Sequence, residues 1–159
     1  MKNQFLLITL FFTFFSASNA RSQDVIRQAP CSDKTILLTA DSIKQELTKQ
    51  GFIIVKEASM TMESEYEMPV IVPLTQGSWY QFVFIGDVTS KLYEVRMFDW
   101  NEKQVVYEKH LSGDPEANII SYSYIPQFSE YHMIKPLQVN KKKKKELCGY
   151  VMLLKKVKQ

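Results

Sequence analysis

From Phe52 to the C-terminus the chain repeats short runs of alternating apolar and polar residues, most of them closed by a turn-forming cluster. The runs are FIIVKEA (52–58), TMESEYEMPVIVPL (61–74), WYQFVFIGD (79–87), KLYEVRMFDW (91–100), QVVYEKHL (104–111), NIISYSYI (118–125), EYHMIKPLQV (130–139) and ELCGYVMLLKKV (146–157). A period of two sends successive side chains to opposite faces of a strand, and the β-branched and aromatic residues that dominate here suit a pleated surface. TQGS, GDVTS, NEK, SGDPEAN, PQFS and NKKKKK separate most of the runs, with no helical stretch between them. Eight such runs predict an all-β domain, a sandwich or barrel of antiparallel strands.

Several faces are predicted directly. Tyr80, Phe82 and Phe84 share one side of their strand. Tyr93, Val95 and Met97 do the same while Glu94 and Arg96 point the other way. Ile120, Tyr122 and Tyr124 form a third stripe, and Cys148, Tyr150, Met152 and Leu154 a fourth. All four are expected to be sandwich core. The run 61–74 is long for one strand, so Pro69 and Pro73 make it an edge strand or split it at a bend. Its Glu63, Glu65 and Glu67 are expected to form a charged edge that discourages strand addition. The competing reading is a Ca²⁺ site, although residues two apart on a strand stand nearly 7 Å apart. One short helix precedes the strands: Asp41 or Ser42 can cap it, Ile43 and Leu47 share a face, and Gly51 ends it.

The chain begins with one lysine, Lys2, then an apolar run from Phe5 to Phe15 and the small-residue exit Ser18-Asn19-Ala20. That order describes a secretory signal over 1–20, too short to be a spanning helix. Residues 21–38 then form a lead segment and 39–159 a single domain. Cys31 lies too far beyond the apolar run to carry a lipid. Cys31 and Cys148 can pair in an oxidising compartment, the alternative being two buried thiols. Without residues 1–20 the chain has 19 basic and 17 acidic residues. Eight of the lysines fall in 141–159, leaving an acidic body. Such a distribution does not describe a nucleic-acid binder.

The stretch LTQGSWYQFVFIGD, the hairpin-like LYEVRMFDWNEKQVVYE, the section NIISYSYIPQFSEYHMIKPLQV and the closing CGYVMLLKK together resemble the bacterial pre-peptidase C-terminal domain family over about residues 70 to 156. The resemblance implies a jelly-roll-like β-sandwich of a secreted bacterial protein, of a kind that binds polymers or calcium. The chain departs from that pattern in having no attached peptidase and an extra N-terminal helix.

Catalytic signals are sparse. His110 and His132 have no metal-ligand spacing between them, and neither Cys-x-x-Cys, Gly-x-Ser-x-Gly nor a phosphate-cradling glycine loop occurs. Acid pairs such as Asp87 with Asp99, or Glu94 with Glu108, rise no further than surface carboxylates. A non-enzymatic role is expected: a secreted or periplasmic binding or assembly module that docks a cell-envelope protein. Residues 61–68 and the basic C-terminal strand are its expected contacts. The alternative is a polysaccharide- or calcium-binding module, with Ca²⁺ the only cofactor considered. Candidate ligand-binding residues lie on loops: Trp79, Trp100, Asn101, Asp114 and Glu116. The basic loop Lys141, Lys142, Lys143, Lys144 and Lys145 is expected to be the solvated, mobile tip of the last hairpin. Any ligand it takes is expected to be anionic lipid or an acidic partner rather than nucleic acid.

Overall fold

A computed structural model describes residues 29–157 of the chain; the expected signal over 1–20 lies outside them. One helix, α1 (Lys34–Lys49), is followed by eight strands: β1 (Phe52–Met62), β2 (Val70–Leu74), β3 (Tyr80–Gly86), β4 (Leu92–Phe98), β5 (Gln104–Leu111), β6 (Ile119–Tyr124), β7 (Glu130–Val139) and β8 (Leu147–Lys156). The strands form two antiparallel sheets, ordered β1-β8-β3-β6 and β2-β7-β4-β5. This is jelly-roll connectivity, in which the chain passes repeatedly from one sheet to the other. Only β4 and β5 are both consecutive and paired, so theirs is the one hairpin among the described strands.

Between the sheets lies the larger core. Met60, Met62, Phe82, Phe84 and Val151 from the first sheet meet Val72, Tyr93, Val95, Met97 and Ile134 from the second. Three of the four predicted stripes face this core. The fourth does not: Tyr150, Met152 and Leu154 turn outward, joining Phe52, Val83 and Ile85 beneath Ile36 and Ala40 of α1. The first sheet is therefore covered on both faces. The uninterrupted apolar runs FVFI in β3 and YVMLL in β8 are what double coverage requires.

The helix starts earlier than a cap at Asp41 or Ser42 would allow. Asp33 is its N-cap, accepting a hydrogen bond from the Ile36 amide at 3.0 Å. Cys31, just upstream, is disulfide-bonded to Cys148 of β8 with Cα atoms 5.6 Å apart, within the usual range. Ala29 accepts from the amide of Thr61 at 2.9 Å, laying the entry of the chain against the edge of β1.

The run 61–74 divides. Met62 ends β1, and a turn containing Glu65 at φ 75° leads to β2 at Val70. Glu63, Glu65 and Glu67 thus sit on the connection rather than along one strand face. Glu67 contacts Arg96 and Lys135, both at 3.1 Å, and Glu65 meets Lys143 at 3.5 Å.

Candidate binding surfaces at the two ends of the sandwich

Jelly-roll connectivity sorts the loops into two sets. One end carries the β2–β3, β4–β5 and β6–β7 loops and the C-terminus of β8; the other carries the β1–β2, β3–β4, β5–β6 and β7–β8 loops. The five predicted ligand-binding residues are divided between them. Trp79, Trp100 and Asn101 lie at the first end, Asp114 and Glu116 at the second, a strand length apart. Seven residues of β3 place the ends roughly 24 Å from one another. Asp114 and Glu116 shape the β5–β6 turn, where the Asp114 carbonyl accepts from Ala117 at 3.2 Å and that of Glu116 from Ile119 at 2.8 Å.

At the aromatic end, Trp100 stands at the tip of the β4–β5 turn and is 69% exposed. Asp99 makes that turn rigid: its carboxylate accepts from the amides of Asn101 and Lys103, both at 2.9 Å, and its own amide donates to the Lys103 carbonyl at 3.0 Å. The neighbouring ring is Tyr131 of β7, 6.3 Å away and tilted by 47°. Phe128 and Ile125, both exposed, belong to the β6–β7 loop at the same end. That loop is tied to the β2–β3 loop by the Gly77 amide on the Pro126 carbonyl, 3.0 Å, and the Gln76 amide on Ser129 Oγ, 2.9 Å. A hollow of about 340 Å³ opens between Phe128, Ile125 and the polar side chains of Asp99, Lys103, Gln127 and Glu130.

Trp79 belongs to the same end but to the opposite rim. Its indole meets Phe52 edge-on at 5.8 Å, and the Lys156 ammonium lies over both rings at 5.6 and 4.8 Å. A groove of about 640 Å³ runs past it between Ile53, the β2–β3 loop and Val157.

At the basic end the five lysines are all exposed, but they do not close a hairpin. β7 pairs with β2 and β4, and β8 with β1 and β3, so Asn140–Glu146 crosses from one sheet to the other. The root of this loop is anchored rather than loosely solvated. Asn140 is buried; its side-chain amide donates to the Thr89 carbonyl at 2.7 Å and to Thr89 Oγ1 at 3.0 Å, and its Oδ1 accepts from the Lys142 amide at 2.8 Å. Gln138, fully buried, accepts from the Asp87 amide and from Ser90 Oγ while donating to the Cys148 carbonyl at 3.0 Å.

Neither acid pair assembles. Asp87 and Asp99 occupy opposite ends of β4. Glu94 faces Lys109 in the β4–β5 register, so Glu108 projects from the other face. His132 is buried, its Nε2 3.2 Å from the Tyr124 hydroxyl and its Nδ1 without a partner. Among the described residues no group of three or more His, Cys, Asp or Glu side chains is gathered to hold a metal ion, and no helix is long and apolar enough to cross a membrane.

Ile125, Phe128 and Tyr131 escaped the sequence reading. The signal was present, because Tyr124 faces the core and Ile125 must therefore face out, while Phe128 sits in a turn with no inward position to fill.

Fold and surface together define a disulfide-tied jelly-roll sandwich with an aromatic end and a basic end. No family model matches the chain, and neither does any curated protein sequence; of the likeness to pre-peptidase C-terminal domains, the structure bears out the jelly-roll-like β-sandwich. Solved structures with a similar strand arrangement include a Bacillus endospore appendage of a family of disulfide-linked pili (9% identity, 68% of this chain and 89% of that one, TM-score 0.42). A CBM4 structure (13%, 67% and 79%, 0.41) and a cleaved adhesin domain of Lys-gingipain from Porphyromonas gingivalis (11%, 64% and 74%, 0.40) are comparable. At these TM-scores the likeness is one of general shape and bears on no ligand.

Proposed function

We propose that this chain is a non-catalytic binding module that docks a protein of the cell envelope through its aromatic end. The observation that carries the reading is the set of large apolar side chains exposed at one end, Trp100 against Tyr131 at 6.3 Å and Ile125 with Phe128 around the hollow beside Asp99, on a turn and a loop held by their own hydrogen bonds. Aromatic side chains dominate the buried centres of protein interfaces, and rigid ones lose little entropy when covered. The 61–68 connection, by contrast, has Glu65 and Glu67 already paired with cations of its own chain. The Cys31–Cys148 bond supports a secreted or periplasmic setting.

The test is crosslinking of the full chain in envelope extracts, followed by purification. One partner should be captured by the parent protein and lost with Trp100→Ala/Phe128→Ala at unchanged melting temperature. Capture that is indifferent to both substitutions would overturn the reading. A glycan-binding role draws support from the hollow of Asp99, Gln127 and Glu130 beside an exposed indole. It predicts a rise in melting temperature with a glycan or with Ca²⁺, and a flat screen of both would dismiss it.

A further inference from the structure

We propose that the basic end is a built site for a phosphate-bearing ligand. Thr89, Lys91, Ser112, Lys141, Lys142 and Lys144 line one concavity of about 390 Å³. Four lysines and the Ser112 hydroxyl around one hollow offer the donors that a phosphate's several acceptor oxygens require. Among the described residues, Lys91, Lys141, Lys142 and Lys144 make no ion pair within 4 Å; Lys143, which does not line the hollow, is the one that meets Glu65.

The backbone separates these roles. Lys143 adopts φ 48° and its amide closes a turn onto the Asn140 carbonyl at 3.0 Å. Beneath, Asn140 joins the loop to Thr89, and Lys144 Nζ reaches Thr89 Oγ1 at 3.4 Å. The acids at this end are otherwise committed or peripheral. Asp87 accepts from the Thr89 amide and hydroxyl, Asp114 accepts from the Leu111 amide, and Glu63, Glu116 and Glu146 do not line the hollow. Like charges gathered around one hollow repel one another until an anion enters.

The test is titration calorimetry of the full chain with tripolyphosphate, beside co-sedimentation with phosphatidylglycerol–phosphatidylcholine vesicles. Two variants remove the same charge: Lys141→Ser/Lys142→Ser from the wall, and Lys143→Ser/Lys145→Ser from outside it. The wall pair should weaken tripolyphosphate binding by about tenfold or more, and the outer pair by less than about threefold. Tripolyphosphate binding with no vesicle binding assigns a soluble phosphate ester; binding of both, each competing with the other, assigns a lipid headgroup. Equal losses from the two variants would mean diffuse loop charge and would overturn the site, as would failure to bind either probe.

Discussion

Two glycines face one another across the β3–β8 pairing at the basic end, Gly86 opposite Gly149. A Cβ on Gly86 would fall 2.6 Å from Tyr93 Cδ1 and 2.7 Å from Cε1; the Tyr93 ring is fixed in turn by its hydroxyl on the Asp87 and Ser90 carbonyls at 2.8 and 3.1 Å. Because the ring cannot retreat without losing those bonds, Gly86→Ala should cost about 1–3 kcal/mol in urea unfolding. Gly149→Ala meets Met62 Sδ at 2.6 Å, a softer neighbour, and should cost less. The reverse order would show the Tyr93 anchor to be looser than its hydrogen bonds imply. Glu57 gives a pH prediction. The hydrogen bond from Tyr150, followed by Lys44 at 3.2 Å, holds its carboxyl below the usual 4.5. A depressed folded-state value means that this stabilisation is present above the unfolded value and is lost as pH falls through the folded one. The melting temperature of the parent should therefore drop more than that of Glu57→Gln between about pH 5 and pH 3. Parallel curves would remove Glu57 from the link between α1 and the sheet.

The elements differ in how plainly the sequence announced them. Strands were readable because alternation and turn residues agree at nearly every boundary from Phe52 onward. The first two turns of α1 were not. Ser32, Asp33, Asp41 and Ser42 are all acceptable caps, and the choice falls to Asp33 because Ile36 and Ala40 find seats on the outer face of β8 and β3. Local propensity is blind to such a docking surface. The lysine loop failed for a similar reason: a short polar connection is compatible with a hairpin or with a crossing between sheets, and only the strand order decides. The disulfide pairing was open for want of a distance. It now has a measurable weight, because it closes a separation of 117 residues, for which chain entropy gives about 4–5 kcal/mol. Cys31→Ser/Cys148→Ser should lower stability by about 2–5 kcal/mol and speed hydrogen exchange at the start of α1 ahead of β3. A loss below about 1 kcal/mol would mean that the helix holds its place by packing alone.

At the scale of the whole molecule, jelly-roll connectivity settles what residue types could not. Tryptophans and acids that looked like one set of loop candidates are parted by the length of the sandwich, while Tyr131 is brought to Trp100 and Ile125 and Phe128 to the hollow beside Asp99. Groups separated by more than about 10 Å with no shared partner contribute independently, and the ends lie roughly 24 Å apart. Trp100→Ala/Phe128→Ala should thus abolish partner capture and leave tripolyphosphate affinity within about twofold. Lys141→Ser/Lys142→Ser should do the converse. Combining all four should change unfolding free energy by the sum of the two pairs within about 0.5 kcal/mol, as each residue is exposed and supports no core contact. A larger departure, or loss of phosphate binding from the aromatic substitutions, would show that the β3 and β4 strands transmit between the ends, and that the two surfaces serve one ligand rather than two.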